Sequence, residues 1–219
     1  IGGIKRISSV AQVIVPFMAA IYIVFALILV ITNITKVPAA FMTIVQAAFN
    51  PKAITGGIVG SMLVAMPKGV ARGIFSNEAG LGSAPIAAAA AKTKEPVRQG
   101  LVSMTGTFID TIVICTLTGL SIVITGAWQV EGLEGVAVTS HAFESGLPFP
   151  ARVSALILML SLVFFAFTTI LGWDYYSERC LEYLSGGRMG AVKVYRWLYI
   201  LAVFIGPYMT VSAVWTIAD

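Results

Sequence analysis

The fold is decided by the stretch Gly69-Val-Ala-Arg-Gly-Ile-Phe-Ser-Asn-Glu-Ala-Gly-Leu-Gly-Ser-Ala-Pro85. It is apolar enough to lie inside a membrane, but Gly80, Gly82 and the closing proline weaken helical hydrogen bonding where lipid offers no replacement. Such a break survives only where it lines a cavity or is buried in protein, as in the binding sites of secondary transporters. The sequence therefore predicts an all-α membrane protein with a broken helix near residues 76–83 and unpaired peptide groups near Leu81.

The composition supports a lipid environment for the rest of the chain. Of 219 residues, 58% are hydrophobic and 11% are charged, whereas an ordinary soluble domain carries about 25% charged residues. The net charge of +4 comes from basic residues dispersed between apolar runs, which is typical of membrane topology and not of nucleic-acid binding. Two cysteines and one histidine provide neither a disulfide framework nor a structural metal site.

Five apolar stretches are long enough to cross the hydrocarbon core, which takes roughly 20 helical residues. They cover residues 13–34, 70–91, 100–125, 151–173 and 197–217, and the second contains the predicted break. We therefore expect a single transmembrane domain over residues 1–219. The chain starts at Ile1 and not at a methionine, so we expect it to be a piece of a longer protein with further N-terminal and C-terminal helices.

Basic residues in the connections predict the orientation of the chain. Those within 5–6, 92–98 and 179–196 fall on one side, which we expect to be cytoplasmic. The opposite side is less basic and carries glutamates in the connection 126–150. We therefore expect a multi-pass cell-membrane protein in which the N-terminus of this chain is cytoplasmic and its C-terminus is extracytoplasmic.

Two connections are longer than a hairpin requires. Within residues 35–68, the sequence favours an interfacial helix around 38–49, while residues 55–66 either re-enter the membrane or extend the next span. The sequence leaves both alternatives open. Residues 126–150, which contain the lone His141, are expected to form a short helix folded over the outer mouth.

Two acidic residues lie at membrane depth. A charged side chain there costs at least about 2.5 kcal/mol, so Glu78 and Asp110 are candidate functional residues. Glu78 either supports the break, as a buried partner of Arg72 or of a backbone amide, or handles an ion or proton directly. Both roles stay open from the sequence. For Asp110, which lies beside Thr107 and Thr111, we favour a structural, hydrogen-bonded role.

A second polar group lies in the stretch 151–173. The carbonyl of Phe165 precedes Thr168 and Thr169 by about one helical turn, so these oxygens can converge on one small hard cation. Thr169 and Trp173 are four residues apart and share a helix face. Two alternatives stay open: paired threonines also bond back to their own helix, and the glycines of the break also allow close helix packing.

Motifs spread over nearly the whole chain point to one family. They are Gly73-Ile-Phe-Ser-Asn-Glu-Ala-Gly-Leu-Gly-Ser83, Phe108-Ile-Asp-Thr111, Thr169-Ile-Leu-Gly-Trp173, Tyr176-Ser-Glu-Arg-Cys180 and the opening Gly2-Gly-Ile-Lys-Arg6. Together they closely resemble the alanine-or-glycine:cation symporter family. The resemblance implies a leucine-transporter-type inverted-repeat bundle, of which this chain would form about helices five to nine.

The resemblance also implies which residues bind the transported solutes. The substrate contacts would be Phe75, Ser76, Asn77, Gly80, Leu81, Gly82, Thr169 and Trp173. The Na⁺ ligands would be Phe165, Thr168 and Thr169. The first helix of the family, which would supply the other half of both sites, is expected to lie outside this chain.

On this resemblance, the expected function is sodium-coupled import of L-alanine or glycine by alternating access. Na⁺ would be the co-transported ion, with H⁺ as the alternative, and no resident cofactor or catalytic residue is expected. An ion channel would need a repeated, symmetric filter motif, which the sequence does not contain. A membrane enzyme would need a nucleophile with its base, a carboxylate dyad or a metal-ligand cluster, and no such set emerges from the sequence.

Overall fold

The regular structure of the chain is helical. A computed structural model describes residues 3–49 and 58–218, and these ranges contain no β-strand, which confirms the predicted all-α class. The helices are α1 (Gly3–Thr32), α2 (Val37–Phe49), α3 (Ile58–Ser76), α4 (Glu78–Leu81), α5 (Ala84–Ala88), α6 (Pro96–Thr107), α7 (Thr116–Thr125), α8 (Val136–Gly146), α9 (Ala151–Leu184), α10 (Met189–Ile205) and α11 (Val211–Ala218). A π-helical segment, Phe108–Cys115, joins α6 to α7.

Four helical runs in the described ranges are long and apolar enough to cross a membrane. They are Arg6–Thr32, Pro96–Thr125, Ala151–Leu184 and Met189–Tyr208. The first three overlap the predicted spans 13–34, 100–125 and 151–173. Each extends its span at one end, because backbone hydrogen bonds continue a helix past the last apolar side chain.

The predicted span 197–217 is not one helix, which corrects the boundary expected from the sequence. α10 ends at Ile205, and α11 starts at Val211. Between them lie a single 3₁₀ turn that contains Pro207 and an extended Met209 (φ −86°, ψ 150°). Pro207 explains the interruption because proline has no N–H to donate to the preceding turn.

The predicted span 70–91 is interrupted as expected, and it begins further upstream. α3 starts at Ile58, so residues 58–66 form the first turns of the helix that leads into the break. Residues 55–57, which belong to the same open question, lie outside the described residues. α2 is the helix expected around 38–49.

The chain divides into two compact units. Unit 1 consists of residues 1–21, 85–92 and 159–219, and unit 2 consists of residues 22–84 and 93–158. In unit 1, α1 and α9 pack through an edge-to-face contact of Phe17 and Phe164, whose ring centroids are 6.2 Å apart. α10 contacts α9 where the Tyr199 hydroxyl donates to the carbonyl of Ile170 at 2.9 Å.

The core of unit 2 forms where α8 folds back on α1 and α7. Phe143 of α8 is 1% exposed and stacks on Tyr22 of α1, with ring centroids 5.6 Å apart. The amide of Asn33 donates to the carbonyl of Gly146 at 3.1 Å and fixes the end of α8. The short helix predicted within 126–150 is therefore confirmed, and its place over an outer mouth stays a prediction.

Candidate functional site

The predicted break lies between α3 and α4. α3 ends at Ser76, and Asn77 is extended (φ −141°, ψ 161°). The side-chain oxygen of Asn77 accepts a hydrogen bond from the N–H of Gly80 at 3.0 Å and so caps the start of α4. Gly82 then adopts φ +77°, which side chains disfavour and glycine tolerates. The helix is therefore interrupted within residues 76–83, where the sequence predicts it.

The amide groups near Leu81 are not left unpaired, which corrects the expectation from the sequence. The N–H groups of Gly82 and Ser83 both donate to the carbonyl of Glu78, at 2.9 and 3.1 Å. The N–H of Leu81 lies 3.4 Å from the carbonyl of Asn77. The left-handed conformation of Gly82 accounts for this closure, because it turns the chain back over the end of the helix. A solute held at the break would therefore contact other groups than these three amides.

Gly80 allows α4 to lie close to α3. A Cβ placed on Gly80 would collide with the backbone carbonyl of Ile74. Backbone atoms inside a helix cannot move aside as the end of a flexible side chain can. The two glycines of the motif thus have different roles, close approach for Gly80 and a turn of positive φ for Gly82.

Two side chains at the break are hydrogen-bonded to the π-helical segment. Ser76 Oγ donates to Asp110 Oδ2 at 2.8 Å and lies 3.4 Å from Cys115 Sγ. Asn77 Nδ2 donates to Thr111 Oγ1 at 2.9 Å. Residues separated by 34 positions in the sequence are thereby joined. These hydrogen bonds hold the break against the π-helical segment.

Asp110 lies in a part of the helix that often marks function. It is half-buried within the π-helical segment, and short π-helical insertions in α-helices are frequent at functional sites. Its carboxylate accepts a hydrogen bond from the Ser76 hydroxyl, and this bond is consistent with a structural role. That role stays a prediction, as do both roles considered for Glu78, whose side chain is exposed in the first turn of α4.

Ser83 is a polar residue at the break that the sequence-based set of substrate contacts leaves out. It is 7% exposed, and its hydroxyl has no hydrogen-bond partner among the described residues. A buried hydroxyl without a partner costs about 1–3 kcal/mol. A ligand that bonded to it would remove that cost. The signal in the sequence is a second hydroxyl placed directly after Gly82.

The predicted cation ligands lie on α9. Thr168 Oγ1 donates to the carbonyls of Phe164 and Phe165, at 3.0 and 3.1 Å. The same hydroxyl lies 3.7 Å from the Met18 sulfur of α1. The oxygens of Thr168 and Phe165 are therefore neighbours, as a shared cation requires. The hydrogen bond from the Thr168 hydroxyl to the Phe165 carbonyl is also what the alternative predicts, in which threonines bond back to carbonyls of their own helix.

Thr169 and Trp173 lie one turn apart on α9, and both are exposed. The ring of Trp173 packs edge to face against Tyr176, with centroids 5.8 Å apart. These residues belong to unit 1, whereas the break belongs to unit 2. The structure thus groups the break with Asp110 and Thr111, and it groups Phe165 with Thr168.

Comparison with known proteins identifies the family. The profile of the sodium:alanine symporter family matches residues 1–219, which is the whole chain. The chain belongs to this family. Membership agrees with the resemblance carried by the motif that contains the break.

Relatives in the sodium:alanine symporter family carry the names of transporters. The chain is 54% identical over 220 residues to an uncharacterized transporter of Haemophilus influenzae. It is 48% identical over 222 residues to the sodium/alanine symporter AgcS of Methanococcus maripaludis. It is 36% identical over 232 residues to the sodium/proton-dependent alanine carrier protein of Bacillus sp. strain PS3. Each alignment covers 100% of this chain and 47%, 47% and 51% of these relatives, so the chain spans about half their length.

Family membership and the four long apolar helices place the chain in a multi-pass membrane protein. The relatives named for an activity are symporters or carriers and not enzymes. Ser76, Asn77 and Ser83 offer hydrogen-bonding groups at the break, and the glycines set the backbone that presents them.

Proposed function

We propose that this member of the sodium:alanine symporter family imports small neutral amino acids, alanine or glycine, together with Na⁺ by alternating access. The observation that carries the proposal is the interrupted helix at residues 76–83, with polar side chains bonded to the π-helical segment. Secondary transporters bind their substrates at such interruptions, because irregular backbone at membrane depth is stable only in protein or beside a cavity. AgcS and the strain PS3 carrier, both named for alanine, support the same substrate class.

The break has both hydrogen-bond acceptors and donors for a zwitterion. Ser76 uses its hydrogen on Asp110, so its oxygen remains as an acceptor for the substrate ammonium group. Asn77 uses one of its two amide hydrogens on Thr111, which leaves the other for the substrate carboxylate. The buried hydroxyl of Ser83 is a further donor. Gly80, Leu81 and Gly82 would form the backbone wall of this site.

Side-chain volume would be limited by two aromatic residues. From the family resemblance, Thr169 and Trp173 of α9 also contact the substrate, and Phe75 lies at the end of α3 beside the break. Phe75 and Trp173 both have bulky aromatic side chains. On the family resemblance, each would limit the volume of the substrate side chain, so the methyl group of alanine or the hydrogen of glycine would be accepted and larger side chains would be disfavoured.

Na⁺ would bind the carbonyl of Phe165 and the hydroxyls of Thr168 and Thr169. Small hard cations prefer oxygen ligands, and the Phe165 carbonyl and Thr168 hydroxyl are 3.1 Å apart. The hydrogen of Thr168 already points at a carbonyl of its own helix, so the oxygen lone pairs are directed elsewhere. The resemblance implies that helices outside this chain complete the site. From the distribution of basic residues between the apolar stretches, the N-terminus of the chain would be cytoplasmic and its C-terminus extracytoplasmic.

Uptake of labelled L-alanine into proteoliposomes that contain the full-length protein tests this function. With an inward Na⁺ gradient we expect saturable accumulation, which should stop when Na⁺ is equal on both sides or is replaced by K⁺. Unlabelled glycine should compete, and leucine should compete weakly. Uptake that neither saturates nor depends on the Na⁺ gradient would contradict the proposal and would favour a pore. Protein-free liposomes are the control.

A further inference from the structure

Two acidic residues on α9 lie outside the sites described above. Asp174 and Glu178 are four residues apart, so they share a helix face, and each is 7% exposed. Acidic side chains are almost never buried to this degree unless they are paired. Each carboxylate should therefore have a partner of its own.

Glu178 has such a partner, and one oxygen of Asp174 does not. Arg196 of α10 donates from Nε to Glu178 Oε1 at 2.5 Å. Asp174 Oδ1 is buried and makes no hydrogen bond within the described part of the chain. The Tyr199 hydroxyl interacts electrostatically with Asp174. It donates its hydrogen bond to the carbonyl of Ile170 and not to Asp174 Oδ1. The carboxyl group of Asp174 therefore lacks a donor at this oxygen.

Within the described part of the chain, the charged side chains around Asp174 do not balance when each of them is ionised. Among the described residues, the charged groups that act on it are Glu178 of the same helix and Arg196 of α10. These three side chains would hold two negative charges and one positive charge. Burial and a carboxylate oxygen without a donor disfavour the ionised form of Asp174, and binding a proton removes this cost. A protonated Asp174 also gains an O–H that can donate to Glu178, one turn away.

We propose that Asp174 and Glu178 together bind one exchangeable proton, with Arg196 as the counter-charge, and that this proton is a second coupling ion. The proposal rests on the proposed transport function. Asp174 follows Thr168 by six residues, which is about 9 Å along the axis of α9. A movement of α9 during transport would therefore act on the cation ligands and on the buried pair together. The proton would be held while the pair is buried and released when water reaches it.

Infrared difference spectroscopy of the full-length protein in lipid tests the proton site independently of transport. Raising the pH should remove the carbonyl-stretch band of a protonated carboxyl group, and Asp174→Asn should abolish one component of that band. The matched control is Glu182→Gln, because Glu182 lies on the same helix but pairs with Arg179 at 2.6 Å near the surface. The control should keep the full band.

Uptake measurements then test the coupling. With equal Na⁺ on both sides, an inward proton gradient should drive alanine accumulation in the wild type and in Glu182→Gln, and Asp174→Asn should lose this response. The asparagine variant should retain sodium-driven uptake, because asparagine imitates the neutral form of Asp174. Asp174→Glu keeps a titratable acid and should keep the response to the proton gradient.

Failures of the two proposals are distinguishable. An unchanged infrared band in Asp174→Asn overturns the proton site, and a persisting response to the proton gradient overturns the coupling. If no form of the protein takes up alanine under a Na⁺ gradient, the proposed function fails while the infrared result still decides the proton site. If Asp174→Asn does not reach the membrane, Glu178→Gln replaces it. That variant frees Arg196 to pair with Asp174, which should ionise Asp174 and remove the band, and an unchanged band would again overturn the proposal.

Discussion

Asn77 makes two hydrogen bonds that determine the shape of the break. Its oxygen accepts from the N–H of Gly80, and its amide donates to Thr111. Loss of an N-cap side chain costs about 1 kcal/mol, which corresponds to roughly fivefold weaker binding at a site that the cap shapes. We therefore expect Asn77→Ala to raise the KM for alanine about fivefold. The measurement is the initial rate of uptake into proteoliposomes at a fixed Na⁺ gradient.

Thr105→Val is the control for this substitution. The hydroxyl of Thr105 bonds to the carbonyl of Leu101 in its own helix, at 3.0 Å, so its loss should leave the break and the KM unchanged. A wild-type KM in Asn77→Ala would show that neither the cap nor the amide group of Asn77 contributes to the substrate site. Circular dichroism on both variants separates an effect on binding from a loss of the folded protein.

At the scale of elements, the packing of α8 depends on a residue without a side chain. A Cβ on Gly146 would lie 2.7 Å from Thr125 Cγ2 and 2.9 Å from two carbon atoms of Leu29. Leu29 is fully buried, and the hydroxyl of Thr125 is bonded to the carbonyls of Ser121 and Ile122, so neither side chain moves aside without a cost. Overpacking of this kind costs about 1–3 kcal/mol. We therefore expect Gly146→Ala to lower the free energy of unfolding by this amount and to lower Tm in a thermal melt of the full-length protein.

Gly119→Ala is the matched control, since it adds the same methyl group to α7. A Cβ on Gly119 meets no atom within 4 Å, and alanine is the better helix former by about 1 kcal/mol. Its Tm should equal or exceed that of the wild type. Equal melting of Gly146→Ala and the wild type would mean that α8 does not pack tightly against α1 and α7.

Elements with a local cause can be predicted from the sequence. The break at 76–83 and the short helix within 126–150 follow from glycine, proline and apolar patterning, which act over a few residues. The span predicted over 197–217 is wrong in its boundaries because apolar length does not account for the effect of Pro207 on the helix. A single proline removes a backbone donor whatever the hydropathy of its neighbours.

Contacts between distant segments could not be predicted in the same way. The bond from Ser76 to Asp110 joins residues 34 positions apart, and no local pattern specifies such a pairing. The N–H groups of Gly82 and Ser83 donate to the carbonyl of Glu78. This pairing depends on the backbone conformation at Gly82, which the composition of the segment does not show. The orphaned hydroxyl of Ser83 is visible only once burial is known.

At the scale of the whole molecule, ligands of the folded state should stabilise it by mass action. A ligand present at a hundredfold its Kd adds about 2.7 kcal/mol to the free energy of unfolding. We therefore expect the purified full-length protein to melt at a higher Tm in Na⁺ than in K⁺ at equal ionic strength. Alanine should raise Tm further in Na⁺ and should have a smaller effect in K⁺, because the bound cation helps to order the substrate site.

Thr168→Val distinguishes a specific cation site from a general effect of salt on the whole molecule. Valine keeps the shape of threonine and removes the hydroxyl that lies 3.1 Å from the carbonyl of Phe165, so this variant should lose the difference in Tm between Na⁺ and K⁺. Thr105→Val removes a hydroxyl from α6 and should keep the difference. If the wild type melts equally in both cations, the folded state has no preference for Na⁺, and sodium coupling through α9 is excluded.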